Sequence, residues 1–387
     1  MPKLKIIYAS SAMREGDFTE LFSGSDKIPG QQAQKFNRLM IKGLSECGAR
    51  VIAITSPPIN KSNTKKHVVF GKKIREGGIT YRYLGVVNAR RVKNVYTVLS
   101  SFVRTFFSCV FRKSAVVCDV LNISVATGAV SAGRLLRKRC VGVVTDIPEL
   151  MVTGHSEKQV KYCHKLINKC TDYVFLTDAM NERLNPKGKP YTVIEGLCNS
   201  ELKEREYEDS EHFECMYAGL LDAEYGVKDM VDSFVIADVP NARLHICGSG
   251  PYTDELKKVA TECDRVIYHG TLMNSEVVEM EQRMTLLINP RPATGEFTKY
   301  SFPSKVMEYM TTGTPMLAHK LPGVPDEYDP YYYRIGDDED GMKNALLHVT
   351  SLGKEELYEK GRLARTFVTE KKTPKVQCEK IIVLLNE

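Results

Sequence analysis

Short apolar runs alternate with longer amphipathic stretches along almost all of the 387-residue chain, and this alternation constrains the fold more than any other feature. The short runs have the length of buried strands, and the longer stretches have the period of helices packed on one side. Strands that alternate with helices predict parallel sheets covered by helices, which is the α/β class. Because 387 residues exceed one ordinary core, we expect two domains.

An acidic and polar segment divides the chain into two such series. We predict an N-terminal Rossmann-like domain over 1–198, a linker over 199–212, a second Rossmann-like domain over 213–370 and a C-terminal helix over 371–387. Ligands of such sheets bind beyond the carboxyl ends of the strands. The sequence therefore predicts a site in a central cleft that the two parallel sheets face.

The composition excludes several classes of protein. Hydrophobic residues make up 43% and charged residues 26%, which is typical of soluble globular proteins. The sequence contains no run of about 18 uncharged apolar residues, and its first residues lead directly into a predicted strand. The eleven cysteines lack metal-ligand spacing. We therefore expect reduced thiols, no metal site and a cytoplasmic location.

The charges are distributed unevenly. Residues 1–195 contain 32 Lys and Arg against 14 Asp and Glu, a net charge of +18, while the remainder carries −12. Such a basic half indicates an anionic partner: an acidic membrane surface, a phosphate-bearing acceptor or nucleic acid. Because the basic residues lack any zinc-finger, RRM or helix-turn-helix context, we expect no nucleic acid.

One predicted helix, over 302–312, combines groups that suit a phosphate and a diol. Its first turn contains Ser304 and Lys305, Glu308 follows one turn later, and Gly313 ends it. A helix N-terminus favours phosphate through its N–H groups and its dipole, and Lys305 adds a cation. Glu308 can accept hydrogen bonds from two vicinal hydroxyls. This pattern suits a nucleotide sugar, although an ordinary Lys–Glu pair on a surface helix is the alternative.

Six short pieces in a fixed order indicate a family. They are Tyr217-Ala218-Gly219, Tyr225-Gly226-Val227-Lys228, Cys247-Gly248-Ser249-Gly250-Pro251, His269-Gly270, Ile288-Asn289-Pro290-Arg291-Pro292 and the block from Ser301 to Pro315. In these pieces the chain resembles retaining GT-B glycosyltransferases of the family 4 type, the glycosyl transferases group 1. The sequence of the last block is most similar to enzymes of bacterial capsular and cell-surface polysaccharide assembly. In this fold the last helix crosses back to the first domain.

The resemblance implies roles for residues around the donor. Arg291 and Lys305 would bind the diphosphate, and Glu308 would hold the ribose hydroxyls. The other implied donor contacts, through backbone groups and small side chains, are Gly219, Gly248, Gly270, Thr271, Leu272, Tyr300, Ser301, Phe302 and Ser304.

Two departures from the family pattern affect the same site. Leu220 and Tyr225 stand where many members carry Arg and Lys, so Arg291 and Lys305 must supply most of the positive charge. Tyr300 stands where the family carries a second glutamate. Glu296, four residues upstream, is our candidate for the catalytic, sugar-contacting carboxylate.

Two residues of the first domain are further candidates. Gly30 begins a helix within a loop that resembles the family's glycine-rich loop, so its main chain could approach the donor phosphate. A plain turn into the helix is the alternative. Asp146 follows a strand and is our acceptor-side catalytic candidate, and a buried Asp that caps the next helix is the alternative.

The segment 95–113 is rich in aromatic residues and has basic flanks. Arg90, Arg91, Lys93, Arg112 and Lys113 provide those flanks. Basic ends next to an apolar helix suit an anionic membrane surface. We expect the flanks to bind such a membrane and the helix interior to be a core helix of the first domain.

The resemblance implies transfer of a sugar, with retention, from a UDP- or GDP-linked donor to a hydroxyl of a glycan or polyprenyl-phosphate-linked acceptor. No metal or further cofactor would be required. The enzyme would act in the cytoplasm, peripherally on the inner face of the plasma membrane. The alternative is a donor-site-degenerate, non-catalytic partner subunit of another transferase, which the residues at 220 and 225 keep open.

Overall fold

The structure is a computed structural model that describes residues 3–25, 29–89, 92–111, 113–151, 156–205 and 210–387. The chain divides into two compact units. Unit 1 comprises residues 1–197 and 373–387, and unit 2 comprises residues 198–372.

Unit 1 is built on an eight-stranded sheet in the order β10-β9-β8-β7-β1-β2-β5-β4, with a separate β3–β6 ribbon. The strands are β1 (Lys5–Ser10), β2 (Arg50–Thr55), β3 (Val68–Val69), β4 (Lys73–Glu76), β5 (Ile79–Tyr83), β6 (Val86–Val87), β7 (Ser114–Asp119), β8 (Cys140–Val144), β9 (Asp172–Phe175) and β10 (Tyr191–Val193). Neighbours in the sheet are parallel, apart from the antiparallel edge pair β4–β5. Every residue of β1 is buried, as a central parallel strand requires.

Six helices precede unit 2 in the described part of the chain. They are α1 (Glu15–Phe22), α2 (Gln31–Glu46), α3 (Lys93–Cys109), α4 (Ile123–Leu135), α5 (Glu157–Lys169) and α6 (Asp178–Leu184). Helices α2 and α6 begin and end where the helical period of the sequence predicts, at 31–46 and at 178–184.

Unit 2 repeats the design with a six-stranded parallel sheet in the order β13-β12-β11-β14-β15-β16. Its strands are β11 (Phe213–Leu220), β12 (Ala242–Ser249), β13 (Val266–Gly270), β14 (Leu286–Asn289), β15 (Met316–Ala318) and β16 (Tyr333–Arg334). Its helices are α7 (Val227–Ala237), α8 (Thr253–Glu262), α9 (Asn274–Arg283), α10 (Ser304–Thr312), α11 (Gly341–Thr350) and α12 (Lys354–Lys371). The predicted α/β class with Rossmann-like parallel sheets is confirmed.

The last helix, α13 (Pro374–Asn386), belongs to unit 1 and packs against α2. The two helices approach so closely that a Cβ on Gly43 would lie 2.2 Å from the carbonyl oxygen of Pro374. Glycine is therefore required at this crossing, because any larger residue would push the two backbones apart.

The expectation that the interior of α3 is a core helix is wrong for one side of the helix. Val95, Leu99, Val103 and Phe107 are exposed, whereas the buried positions of α3 are mostly small and polar. The reason is the close packing of α3 on α4, which leaves no room for bulky groups between the helices. Of the predicted basic flanks, Arg90, Arg91 and Arg112 lie outside the described residues.

Candidate functional site

A pocket of about 140 Å³ opens in unit 2 where β11 and β14, which are neighbours in the sheet, end. Parallel strands bring their carboxyl ends to one edge, so the loops that follow them converge with the start of α10. The lining residues are Tyr217, Leu220, Tyr225, Asn289, Arg291, Pro303, Ser304 and Lys305. Three predicted donor contacts, Arg291, Ser304 and Lys305, are thus brought together.

Lys305 lies between the strand end and two aromatic rings. Its Nζ donates to the carbonyl oxygen of Ala218 and lies 5.3 Å from the ring centre of Tyr217 and 5.8 Å from that of Tyr309. Burial raises the pKa of both tyrosines, so both remain neutral phenols whose ring faces attract the cation. The ammonium is therefore held at the pocket by the carboxyl end of β11.

Glycines make room for that lysine. A Cβ on Gly219 would lie 2.7 Å from Lys305 Nζ, so the space beside Gly219 belongs to the lysine side chain. The donor contact that the resemblance implies for Gly219 therefore has no free space beside the Gly219 Cα. Gly248, paired with Gly219 in the sheet, has a φ of 132° and a Cβ there would lie 1.8 Å from the Gly219 carbonyl oxygen. The two glycines allow β11 and β12 to end close together beneath Lys305.

Arg291 is clamped between two aromatic rings. Its guanidinium carbon lies 5.3 Å from the ring centre of Tyr225 and 4.7 Å from that of Phe297. Its Nη2 donates to Ser301 Oγ at 3.5 Å. Tyr225, one of the positions at which we noted a departure from the family pattern, contacts the arginine. A planar guanidinium can stack on aromatic faces while its N–H groups donate sideways, and an ammonium lacks this planar fork.

The first turn of α10 faces the same pocket. Pro303 occupies the N-cap position, and its side chain cannot accept a hydrogen bond from the backbone. The Val306 N–H is satisfied by the Pro303 carbonyl at 3.0 Å. Because the helix dipole adds positive potential at Ser304 and Lys305, this end of the pocket favours an anion.

Asn289, to which the sequence reasoning assigned no role, is the last residue of β14 and lines the pocket. It is only 4% exposed, and its Nδ2 is a buried donor without a hydrogen-bond partner. A buried unpaired donor costs stability, so natural proteins keep one mainly where a ligand satisfies it. The signal in the sequence was a lone amide at the end of a wholly apolar strand.

Glu296 and Tyr300 are brought into contact. The Tyr300 hydroxyl donates to Glu296 Oε1 at 3.3 Å, and Tyr300 is buried while Glu296 is exposed. The carboxylate thus lies beside the residue that replaces the family's second glutamate. Phe302 is buried against the ring of Tyr328 at 5.2 Å between centroids, so only its backbone could reach a ligand.

Among the predicted donor contacts that do not line the pocket are Glu308, Gly270, Thr271 and Leu272. Glu308 is half-buried on α10, one turn beyond Lys305. Gly270 ends β13 with a φ of 73°, followed by the exposed Thr271 and the half-buried Leu272. Since β12 separates β13 from β11, Gly270, Thr271 and Leu272 lie farther along the same sheet edge.

The two candidates in unit 1 occupy loop positions. Gly30 precedes α2 and has open space where a Cβ would be, so its backbone is accessible without steric demand for glycine. Asp146 is exposed beyond β8, and its Oδ2 accepts a hydrogen bond from Thr145 Oγ1 at 3.1 Å. The alternative of a buried capping aspartate is wrong, because Ser156 caps α5.

Comparison with known proteins identifies the class. Residues 199–339 match the family model described as Glycosyl transferases group 1. No curated protein matches the sequence. Among solved structures, sucrose-phosphate synthase from Thermosynechococcus elongatus is similar, with a TM-score of 0.67, 13% identity and coverage of 99% of this chain and 98% of that one.

Two further structures share the fold over nearly their whole length. The α,α-trehalose 6-phosphate synthase from Burkholderia multivorans has a TM-score of 0.63, 10% identity and coverage of 99% of this chain and 96% of that one. HepE from Anabaena, in complex with UDP-glucose, has a TM-score of 0.65, 13% identity and 99% coverage of both chains.

The fold is therefore GT-B, and the pocket lies within residues 199–339, the part of the chain that matches the glycosyl transferases group 1 model. None of the helices in the described part of the chain has the length and apolarity needed to cross a bilayer.

Proposed function

We propose that the chain transfers a sugar, with retention, from a nucleoside diphosphate sugar to an acceptor hydroxyl. The observation that carries this proposal is the pocket in which Arg291, Lys305, Asn289 and the first turn of α10 converge. Two cations, a buried amide donor and a helix N-terminus together match the charge and the hydrogen-bonding capacity of a pyrophosphate.

In this reaction the diphosphate leaves the sugar, so the main requirement is stabilisation of the negative charge that develops on it. Lys305 and Arg291 supply positive charge, and the Tyr225 and Phe297 rings orient the guanidinium. Asn289 Nδ2 donates to a phosphate oxygen. Positioning of the acceptor against the donor contributes the rest of the acceleration. Retention by a front-face route requires no protein nucleophile.

Other residues are assigned to the parts of the donor on either side of the pyrophosphate. Glu308 accepts hydrogen bonds from the ribose, and the backbone around Gly270, Thr271 and Leu272 borders the base. Glu296 contacts the sugar from its position beside Tyr300. Uridine is our first choice of base, because the similar HepE protein is described in complex with UDP-glucose.

For the acceptor we propose a glycan or polyprenyl-phosphate-linked hydroxyl at the inner face of the plasma membrane, with Asp146 on the acceptor side. The excess of 32 basic over 14 acidic residues within 1–195 supports an acceptor that carries phosphate or lies on an anionic surface.

Calorimetric titration of the purified protein with UDP and GDP tests the proposal, followed by sugar transfer from a panel of UDP- and GDP-sugars. We expect one nucleotide to bind and its sugar conjugate to support transfer, with the anomeric configuration of the product matching that of the donor. The rival hypothesis, a non-catalytic partner subunit, is favoured by Leu220 and Tyr225 in the pocket. Failure of every nucleotide and nucleotide sugar to bind would support that rival.

A further inference from the structure

Helix α3 has its polarity reversed relative to a helix of a soluble domain. Its exposed positions Val95, Leu99, Val103 and Phe107 recur every four residues and form one apolar stripe. The buried residues of α3 are small: Thr97, Ser101, Thr105, Ser108 and Cys109. Helices of soluble proteins normally bury the large apolar side and expose the polar one.

The packing of α3 on α4 explains this reversal. A Cβ on Gly128 of α4 would lie 2.3 Å from the Val98 carbonyl oxygen and 2.8 Å from the Phe102 nitrogen, so the two backbones nearly touch. Ser101 Oγ donates to the Val125 carbonyl at 2.7 Å across this contact. Only small residues fit there, so the large residues of α3 are directed outward.

The stripe extends beyond α3 at one end. Phe111, directly after the helix, is 91% exposed. At the other end α3 packs against β6, whose partner strand β3 carries the exposed Val68 and is followed by Phe70, which is 86% exposed. Scattered exposed apolar residues are common on surfaces, but an aligned series with aromatic residues at both ends marks an interaction surface.

The charges of the same segment identify the partner. From Gly77 to Cys118 the sequence contains seven Lys and Arg residues and no Asp or Glu. Burial lowers the pKa of Arg82, and the neighbouring cations Arg104, Arg50 and Arg75 lower it further. A second copy of the chain is a poor partner, because pairing of two such surfaces would bring like charges together.

We propose that the exposed stripe of α3 inserts into the headgroup region of an anionic bilayer. Helix α3 has 17 residues, and its apolar side chains would enter the boundary between headgroups and acyl chains while the surrounding cations contact lipid phosphates. This inference deepens the proposed function, since it identifies the surface through which the enzyme reaches a lipid-linked acceptor.

The chain contains no tryptophan, so a single introduced tryptophan reports on its own position. The probe is Phe107→Trp, and Ile236→Trp on α7 is the matched control, because Phe107 is 71% and Ile236 68% exposed. With phosphatidylcholine–phosphatidylglycerol vesicles we expect a blue-shifted and brighter emission for Phe107→Trp and no change for Ile236→Trp. Phosphatidylcholine vesicles alone, or high salt, should abolish most of the shift.

Sedimentation with the same vesicles provides the second measurement. The double variant Leu99→Gln/Phe107→Gln should lower the bound-to-free ratio roughly tenfold or more, because two apolar side chains are lost from the inserted face. The double variant Ile236→Gln/Val383→Gln, which alters exposed residues elsewhere, should bind as the wild type does.

Three results would overturn the inference. The first is unchanged emission of Phe107→Trp although the protein sediments with anionic vesicles, and the second is an equal response of Phe107→Trp and Ile236→Trp. The third is a wild-type dimer in the absence of vesicles that Leu99→Gln/Phe107→Gln loses, which would make the stripe a contact between two copies. UDP titration of these variants keeps this inference separate from the proposed function, since α3 is remote in sequence from the donor pocket and nucleotide affinity should not change.

Discussion

Helices α3 and α10 cover sheets of the same type but present opposite kinds of side chain to their surroundings. In unit 2, α10 buries Val306, Met307, Tyr309 and Met310 and presents Lys305 to a pocket. In unit 1, α3 buries small polar residues and presents its large apolar ones.

The difference shows how the neighbouring element determines what a helix offers. The Met316–Ala318 strand and the other apolar residues around α10 accept its large side chains, so its polar groups are left for a ligand. Helix α4 offers glycine and alanine positions to α3 and accepts only small groups. We infer that α10 binds a small charged ligand and that α3 contacts an extended apolar surface.

The largest effect that would sharpen this comparison is expected for Lys305→Ala. The variant loses the cation next to the helix N-terminus, and a charge-assisted contact is worth about 1.5–3 kcal/mol, or roughly tenfold to 150-fold in affinity. Calorimetry with UDP measures this loss. Lys257→Ala, on α8 of the same unit, serves as the control and should bind UDP normally. Equal affinities of the two variants would place the diphosphate elsewhere.

The second effect concerns the α3–α4 contact. Gly128→Ala introduces a Cβ 2.3 Å from the Val98 carbonyl, so the helices must separate. Overpacking of this kind costs about 1–3 kcal/mol in the free energy of unfolding. Gly30→Ala is the control, because a Cβ there meets no atom within 4 Å. Denaturant unfolding that gives the same stability for both variants would contradict the close packing that directs the apolar side of α3 outward.

The third effect has opposite signs on stability and binding. Asn289→Leu replaces a buried unpaired donor by an apolar group of similar size. We expect the ligand-free protein to gain about 1 kcal/mol in the free energy of unfolding and to lose roughly tenfold in UDP affinity, because the donor is satisfied only by ligand.

Thermal unfolding with and without UDP measures both quantities for Asn289→Leu. A variant that is less stable and binds UDP normally would show that the amide serves the fold and not the ligand.

The regular elements of this fold could be predicted because each carries its own signal. Buried parallel strands such as Lys5–Ser10 read as apolar runs, and amphipathic helices such as α2 read at the helical period. The short strands β3, β4 and β6 and the helix α1 were not predicted. Two to four residues in a strand, or eight in a helix, give too few periods to stand out.

The donor pocket was predictable in part. Lys305 was predicted from its place at a helix start, and Arg291 from the resemblance to the family. Asn289 and the aromatic clamp by Tyr225 and Phe297 were not, since they depend on which loops meet in space. The exposure of α3 was missed for the same reason: its apolar residues resemble a core face until the partner helix shows which side has room.

A crystal structure of the protein with bound UDP tests the central claim most directly. We predict that the diphosphate lies at the N-terminus of α10, within hydrogen-bonding distance of Lys305 Nζ and the Arg291 guanidinium, with a phosphate oxygen facing Asn289 Nδ2. A diphosphate bound at any other place, or a pocket that stays empty at saturating UDP, would contradict the account.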